Sequence, residues 1–180
     1  GLRDKIRHVV VLMLENRSFD NLLGKLYPSG SAFNGLTGNE ANPHHDAATG
    51  AALAPVPVWN DATMAPGART LPSPDPGELF ADISTQLFGL NMQPADIAPP
   101  MSGFVDNYIR QKIAPPYAAA AIMHHYTPDQ VPVISALARQ FAVCDQWHAS
   151  APNQTWPNRF FVRSEERRVG EECRYRGWPY

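Results

Sequence analysis

Residues 8–24 read HVVVLMLENRSFDNLLG. Six apolar residues, 9–14, run straight into Glu15, Asn16, Arg17, Ser18, Phe19 and Asp20. A continuous β-branched and aliphatic run without alternation predicts that residues 6–14 form a central parallel strand covered on both faces. Ser18 followed by FDNLLG predicts a short capped helix or turn closed by Gly24 and Pro28. Ligands of open α/β sheets gather outside the carboxyl ends of the strands. Glu15 and Asn16 stand at that end, and a carboxylate beside an amide oxygen is a hard donor pair suited to a divalent cation. The plainer reading is equally physical: Glu15 is a solvated strand end, and Ser18 or Asp20 caps a helix.

Outward from that stretch the order is strand, excursion, helices, strand and helix, an α/β pattern. Helical spacing marks 78–89, with apolar residues at 79, 80, 83, 87 and 88 and Gly89 as the stop. The segment 103–113 repeats it, with Phe104, Tyr108 and Ile109 on one face. Thr127 and Pro128 carry helix-start signals, and Pro132 puts the firmer helix at 132–140. FAVCD, 141–145, reads as a short strand, and TWPNRFFVR, 155–163, as a helix opened by Thr155 and Pro157. Between about 40 and 100 lies a Pro-rich excursion holding ten of the 18 prolines, read as long and partly irregular.

The bulk numbers exclude several classes. The chain has 180 residues, 44% hydrophobic and 18% charged, with a formal net charge of −2. That fits a globular domain and gives no basic footprint for nucleic acid. No apolar run approaches the ~20 residues of a membrane-spanning helix, and no signal peptide is visible. The two cysteines do not fix the redox compartment, and Cys144 reads as a buried, inert thiol. No P-loop, G-x-G-x-x-G or G-x-S-x-G motif occurs, which argues against the usual nucleotide-binding and serine-hydrolase sites.

A second polar cluster, DQWHASAPNQTWPNR, occupies 145–159. Thr155 stands at a helix N-terminus, where free N–H groups favour an anion. A hydroxyl there becomes a nucleophile if a metal also touches it. Asn158 and Arg159, one turn on, are placed to donate to phosphate oxygens; alternatively Thr155 is only a cap and Arg159 a surface charge. Of six histidines, His148 is a candidate near Thr155, while His44-His45-Asp46 and His124-His125 suit a phosphate or metal site or plain loop polarity. NRS and NQT also match the glycosylation sequon, a pattern common by chance.

Taken together, IRHVVVLMLENRSFDNLLG, MSGFVDNYI, YTPDQVPVISALARQFAVCDQWHAS and TWPNRFF resemble, in order over residues 6–161, the bacterial phosphoesterase family of phospholipases C and certain acid phosphatases. The resemblance implies an alkaline-phosphatase-like sandwich with a central, mostly parallel sheet. It implies phospholipase C-like hydrolysis of a phosphate ester, assisted by a divalent metal ion. Glu15, Asn16 and Thr155 would be metal ligands, Thr155 the nucleophile, and Asn158 a phosphoryl contact. Arg159, His148 and His125 would border the substrate, a phosphate ester such as a phospholipid. Secretion or a periplasmic location is implied as well. Two departures bear on substrate preference: Asn153-Gln154 replaces a common Gly-Pro before the Thr, and Gly77-Glu78 follow Asp75-Pro76 where His is common.

Family members run to several hundred residues, with further ligands in their C-terminal half. Residues 1–163 are therefore expected to be the N-terminal part of a catalytic domain, with an incomplete sheet. The segment 164–180, with four Glu, four Arg and no apolar periodicity, is expected to be a non-native tail. It resembles tails that arise when adapter DNA is read as coding. The alternative function is a non-catalytic fragment or phosphate-binding module.

Overall fold

The computed structural model describes residues 5–30, 32–65, 72–90, 98–111 and 116–164. The chain forms two compact units, Gly1–Glu40 with Val58–Arg69 and His124–Asp145, and Ala41–Pro57 with Thr70–Met123 and Gln146–Tyr180. The expected non-native tail lies, from residue 165 on, outside the described residues.

The first unit holds α1 (Phe19–Leu23) and, later in the chain, Pro132–Gln140. Ser18 caps α1 as its sequence predicts, its hydroxyl accepting the Asn21 N–H at 3.2 Å. Leu23, Leu26, Phe33 and Ala138 form the core, with Phe19, Leu22, Ile134 and Val143 against it. The Phe33 ring sits at 5.4 Å and nearly perpendicular to Tyr27, a favourable edge-to-face contact. Pro132 takes the first helical turn, where its missing N–H costs nothing. Thr127 is not the cap; the Gln130 amide oxygen instead accepts the Thr127 N–H at 2.8 Å.

Residues 6–14 differ from expectation. They belong to no strand among the described residues, and Val10 is 92% exposed. An extended backbone satisfies its N–H and C=O groups only through a neighbouring strand. The described residues provide none here. The expected strand at 141–145 is also absent, and Cys144 is exposed rather than buried.

The second unit holds β1 (Ala41–His45), β2 (Ala52–Pro57), α2 (Phe80–Phe88), α3 (Phe104–Ile109) and a 3-10 segment, Pro116–Met123. With Pro132–Gln140 as α4, the last helix, Thr155–Ser164, is α5. The sheet of the described residues is a two-stranded antiparallel hairpin inside the Pro-rich excursion. The fold is thus α/β, with this antiparallel hairpin as the sheet of the described residues. Ala41 pairs Pro57 and Asn42 pairs Val56, then the register shifts and His44 pairs Leu53. Pro43 and Pro55 fall in the shifted stretch and Pro57 at the strand end, where the ladder needs no N–H from them. The turn is closed by Asp46, whose Oδ1 accepts the Ala48 and Thr49 N–H groups and the Thr49 hydroxyl, and by Gly50 at φ +73°.

Val56, Val105 and Ala119 make this unit's core, with Ile109, Ile122 and Met123 around it. The helices α2 and α3 meet through amides rather than through the apolar stripe their spacing predicts. Asn107 donates to Asp82 at 3.0 Å, Gln86 donates to Asn107 at 3.0 Å, and Gln111 donates to Asp82 at 3.1 Å. Leu79 and Phe80 stay exposed. Gly103 permits this approach, since a Cβ there would run into the Thr85 carbonyl.

Candidate functional site

The polar end of the 8–24 stretch is fixed by one amide. Arg17 Nη1 donates to Asn21 Oδ1 at 3.0 Å, and Asn21 Nδ2 donates to the His124 carbonyl at 2.7 Å. The Tyr126 N–H donates to the Asn21 carbonyl at 2.8 Å. α1 and the residues before it are therefore seated on residues 124–126, far away in sequence. Glu15 is half-buried, and Asn16 is exposed.

The seat has unusual electrostatics. His124 is 4% exposed and lies edge-on to Trp59 and Tyr126, with ring centroids at 4.7 and 4.9 Å. Neither of its ring nitrogens has a hydrogen-bond partner among the described residues. Burial, then repulsion from His125 and Arg17, holds its pKa below the usual imidazole value, against the pull of Asp61. His125 is also buried and depressed, chiefly by desolvation, with Nδ1 3.4 Å from the Tyr126 carbonyl. Burial, then the nearby charge of Glu40, pushes the Asp20 carboxyl up. Burial opposes ionisation of Glu40 itself. Hydrogen bonds from the Thr37 N–H and hydroxyl, its own N–H and the Gly38 N–H overcome that, and its pKa falls to about 2.

In the second unit Thr155 is the first residue of α5 and is half-buried, as are Asn158 and Arg159 one turn on. The Arg159 guanidinium lies 6.0 Å from the centroid of the Trp156 ring, a cation–π distance. His148 is exposed in the segment leading to α5. Glu15, Asn16 and His125 thus belong to one unit, and His148, Thr155, Asn158 and Arg159 to the other.

Glu15, Asn16 and Thr155 offer the implied metal a donor set of one chemical kind. A carboxylate, an amide oxygen and a hydroxyl are all hard oxygen donors, and Asn16 has its side chain open to solvent. They fit a hard divalent cation as part of its shell. Among the described residues no group of three His, Cys, Asp or Glu is placed to hold a metal.

One arrangement was missed at the sequence level. In the second unit the His45 N–H donates to Asp106 Oδ1 at 2.8 Å, and His45 Nδ1 lies 2.6 Å from Asp106 Oδ2. The His44-His45 pair marked one partner; the single acid inside GFVDNYI was the signal for the other.

Comparison with known proteins gives a consistent answer. The profile described as the Phosphoesterase family matches residues 6–173. Non-specific phospholipase C6 of Arabidopsis thaliana is 38% identical over 160 residues, covering 88% of this chain and 27% of that protein. Non-specific phospholipase C1 of the same plant is 36% identical, covering 91% and 28%. Phospholipase C A of Mycobacterium tuberculosis is 31% identical, covering 87% and 28%. The chain spans less than a third of the length of these relatives, which are found in plants as well as bacteria. With nearly its whole length matched, the chain belongs to the Phosphoesterase family.

Proposed function

We propose that the protein hydrolyses phosphate esters in the manner of a phospholipase C. The observation that carries this reading is the occurrence in one chain of Glu15-Asn16 after the apolar run and of Thr155 opening α5. The family match and the names of the relatives, phospholipases C, support it. A divalent cation bound by Glu15, Asn16 and Thr155 would supply charge neutralisation and a lowered pKa for the hydroxyl.

The residues do the rest. Thr155 Oγ attacks phosphorus in line, and water then releases the phosphothreonine. The Asn158 amide and the Arg159 guanidinium donate to phosphoryl oxygens, where the transition state gathers charge. His148 borders the substrate, as does His125 through Nε2, since its Nδ1 is turned toward the Tyr126 carbonyl. The substrate is a phosphate ester and, by analogy with the relatives, a phospholipid. Secretion or a periplasmic location follows the same analogy.

The reading includes an alkaline-phosphatase-like sandwich in which residues 9–14 and 141–145 become strands of a mostly parallel sheet. Strands supplied by the further length seen in the relatives would flank them. Residues 1–163 are then the N-terminal part of the catalytic domain, and 164–180 lie outside it.

The test is Thr155→Ala in the full-length protein. Turnover of a phosphodiester is expected to fall by roughly 10⁴-fold or more with the fold intact, and chelation is expected to remove it as well. Normal turnover in the variant would falsify the nucleophile assignment. A second reading, a phosphate-binding chain without turnover, is favoured by the lack of a three-residue metal cluster among the described residues. It predicts phosphate binding by the 180-residue chain and no hydrolysis with any added divalent metal.

A further inference from the structure

β1 is fastened to α3 at two points. At the first, Asn42 accepts the Val105 N–H at 3.1 Å and donates to the Met101 carbonyl at 2.9 Å. At the second, past the register shift, Asp106 takes both the backbone N–H and the ring Nδ1 of His45. Asp106 is 1% exposed, and both of its oxygens are engaged by the one histidine. Arg110 stands 3.6 Å from Oδ1 and donates to the Asp106 carbonyl at 2.7 Å. The charged groups that face this contact are Asp106 on α3 and Arg110 at its C-terminal cap; His44 and Asp46 are the titratable neighbours along the chain.

A purely mechanical staple between strand and helix already exists in Asn42. The second anchor does more: it fixes the plane and tautomer of a ring that is itself 34% exposed. With Nδ1 engaged by the carboxylate, Nε2 is the ring nitrogen left for proton exchange. The register shift ahead of His44 puts its extra residue in β2, where Ala54 and Pro55 stand opposite Pro43, so β1 itself runs through to His45 without an insertion. A buried carboxylate holding one imidazole nitrogen and leaving the other open is the arrangement used for proton transfer to a leaving group.

We propose that His45 is a proton donor of the phosphoester reaction, held by Asp106 so that Nε2–H serves the leaving oxygen. The inference rests on the hydrolase reading above, and Thr155 belongs to the same unit as His45. Starting from ionised Thr155, the Thr155 oxygen–phosphorus bond forms and the phosphorus–leaving-oxygen bond breaks. The freed electron pair takes the Nε2 proton, giving the alcohol and neutral imidazole. Water then forms the new bond to phosphorus and the Thr155 oxygen leaves with its electron pair. One proton of that water passes to Nε2, restoring the starting state.

The test compares two esters in the full-length protein, one with a p-nitrophenolate leaving group and one with an alkyl alcohol. His45→Gln is expected to lower kcat on the alkyl ester by about 100-fold or more and to change the p-nitrophenyl ester only a few-fold. In nitrogen-15 spectra of the 180-residue chain, His45 is expected to be protonated on Nδ1 when neutral, and Asp106→Asn to mix the tautomers. Equal losses on both esters, no loss on either, or a neutral His45 protonated on Nε2 overturns the proposal. Turnover surviving Thr155→Ala overturns the nucleophile reading, while the ratio of the two esters in His45→Gln still decides the role of His45. Absence of turnover in the wild-type full-length protein overturns both.

Discussion

Residues 9–14 and the helix α3 are of similar length, and they end in opposite environments. In α3, Val105 and Tyr108 are all but sealed from solvent. In the extended run, Val9 to Leu12 stay largely exposed. Hydrophobicity alone would predict the reverse, since 9–14 is wholly apolar and α3 carries Asp106 and Asn107. A helix satisfies part of its own backbone, and around α3 the surroundings add apolar contact and two polar partners, Asn42 for the Val105 N–H and His45 for the Asp106 carboxylate. An extended run needs a neighbour's N–H and C=O groups before burial gains anything. Apolar surface is thus buried where the backbone is already satisfied, and waits where it is not.

The largest expected contrast is in association. The isolated 180-residue chain should self-associate through residues 9–14, an uncharged, β-branched, unpaired segment. Val10→Lys with Leu12→Lys should leave it monomeric in sedimentation velocity; undiminished association would put the sticky surface elsewhere. Next is packing. Val105→Ala should cost about 2 kcal/mol, read from hydrogen exchange of the second unit's amides, because it opens a void in a sealed site. Val10→Ala should stay within about 0.5 kcal/mol.

The third contrast is in pH. The folded pKa values of His124 and His125 lie below the ordinary imidazole value of 6.5. The folded first unit therefore binds fewer protons than the unfolded chain. Its stability is complete above about pH 6.5 and is lost as pH falls toward the folded values, by at most ~1.4 kcal/mol per pH unit per imidazole. Glu40 adds a separate loss between its ordinary value of 4.5 and about 2. His124→Phe should flatten the first limb of a Tm-against-pH plot and leave the second; an unchanged first limb would remove His124 as the cause. A smaller, purely local effect is that of Ser18→Ala, about 1 kcal/mol through loss of the α1 cap, read as a lowered Tm.

Local signals transferred well from sequence to structure. Ser18, Gly89 and Pro132 each mark an end of α1, α2 or α4, because capping and stopping depend on a few neighbouring residues. The hairpin was hidden because Pro43, Pro55 and Pro57 argue against strands, and only the register shift shows that the ladder avoids them. Residues 9–14 misled for the opposite reason: their pattern specifies a preference for burial, and the partners that would realise it are not among the described residues. The family-bearing residues Glu15, Asn16 and Thr155 were legible from motif alone. The clasp between His45 and Asp106 was not, since a separation of 61 residues carries no spacing rule.

The Asn21–His124 hydrogen bond spans 103 positions, and its consequence belongs to synthesis. The N-terminal end of the first unit leaves the ribosome early, but its seat follows only after the whole hairpin and both α2 and α3. The second unit's hairpin and α3 can close by themselves during that interval. ENRSFD, with the apolar run before it, must wait unseated in the growing chain, and that is when it most needs shielding from other chains.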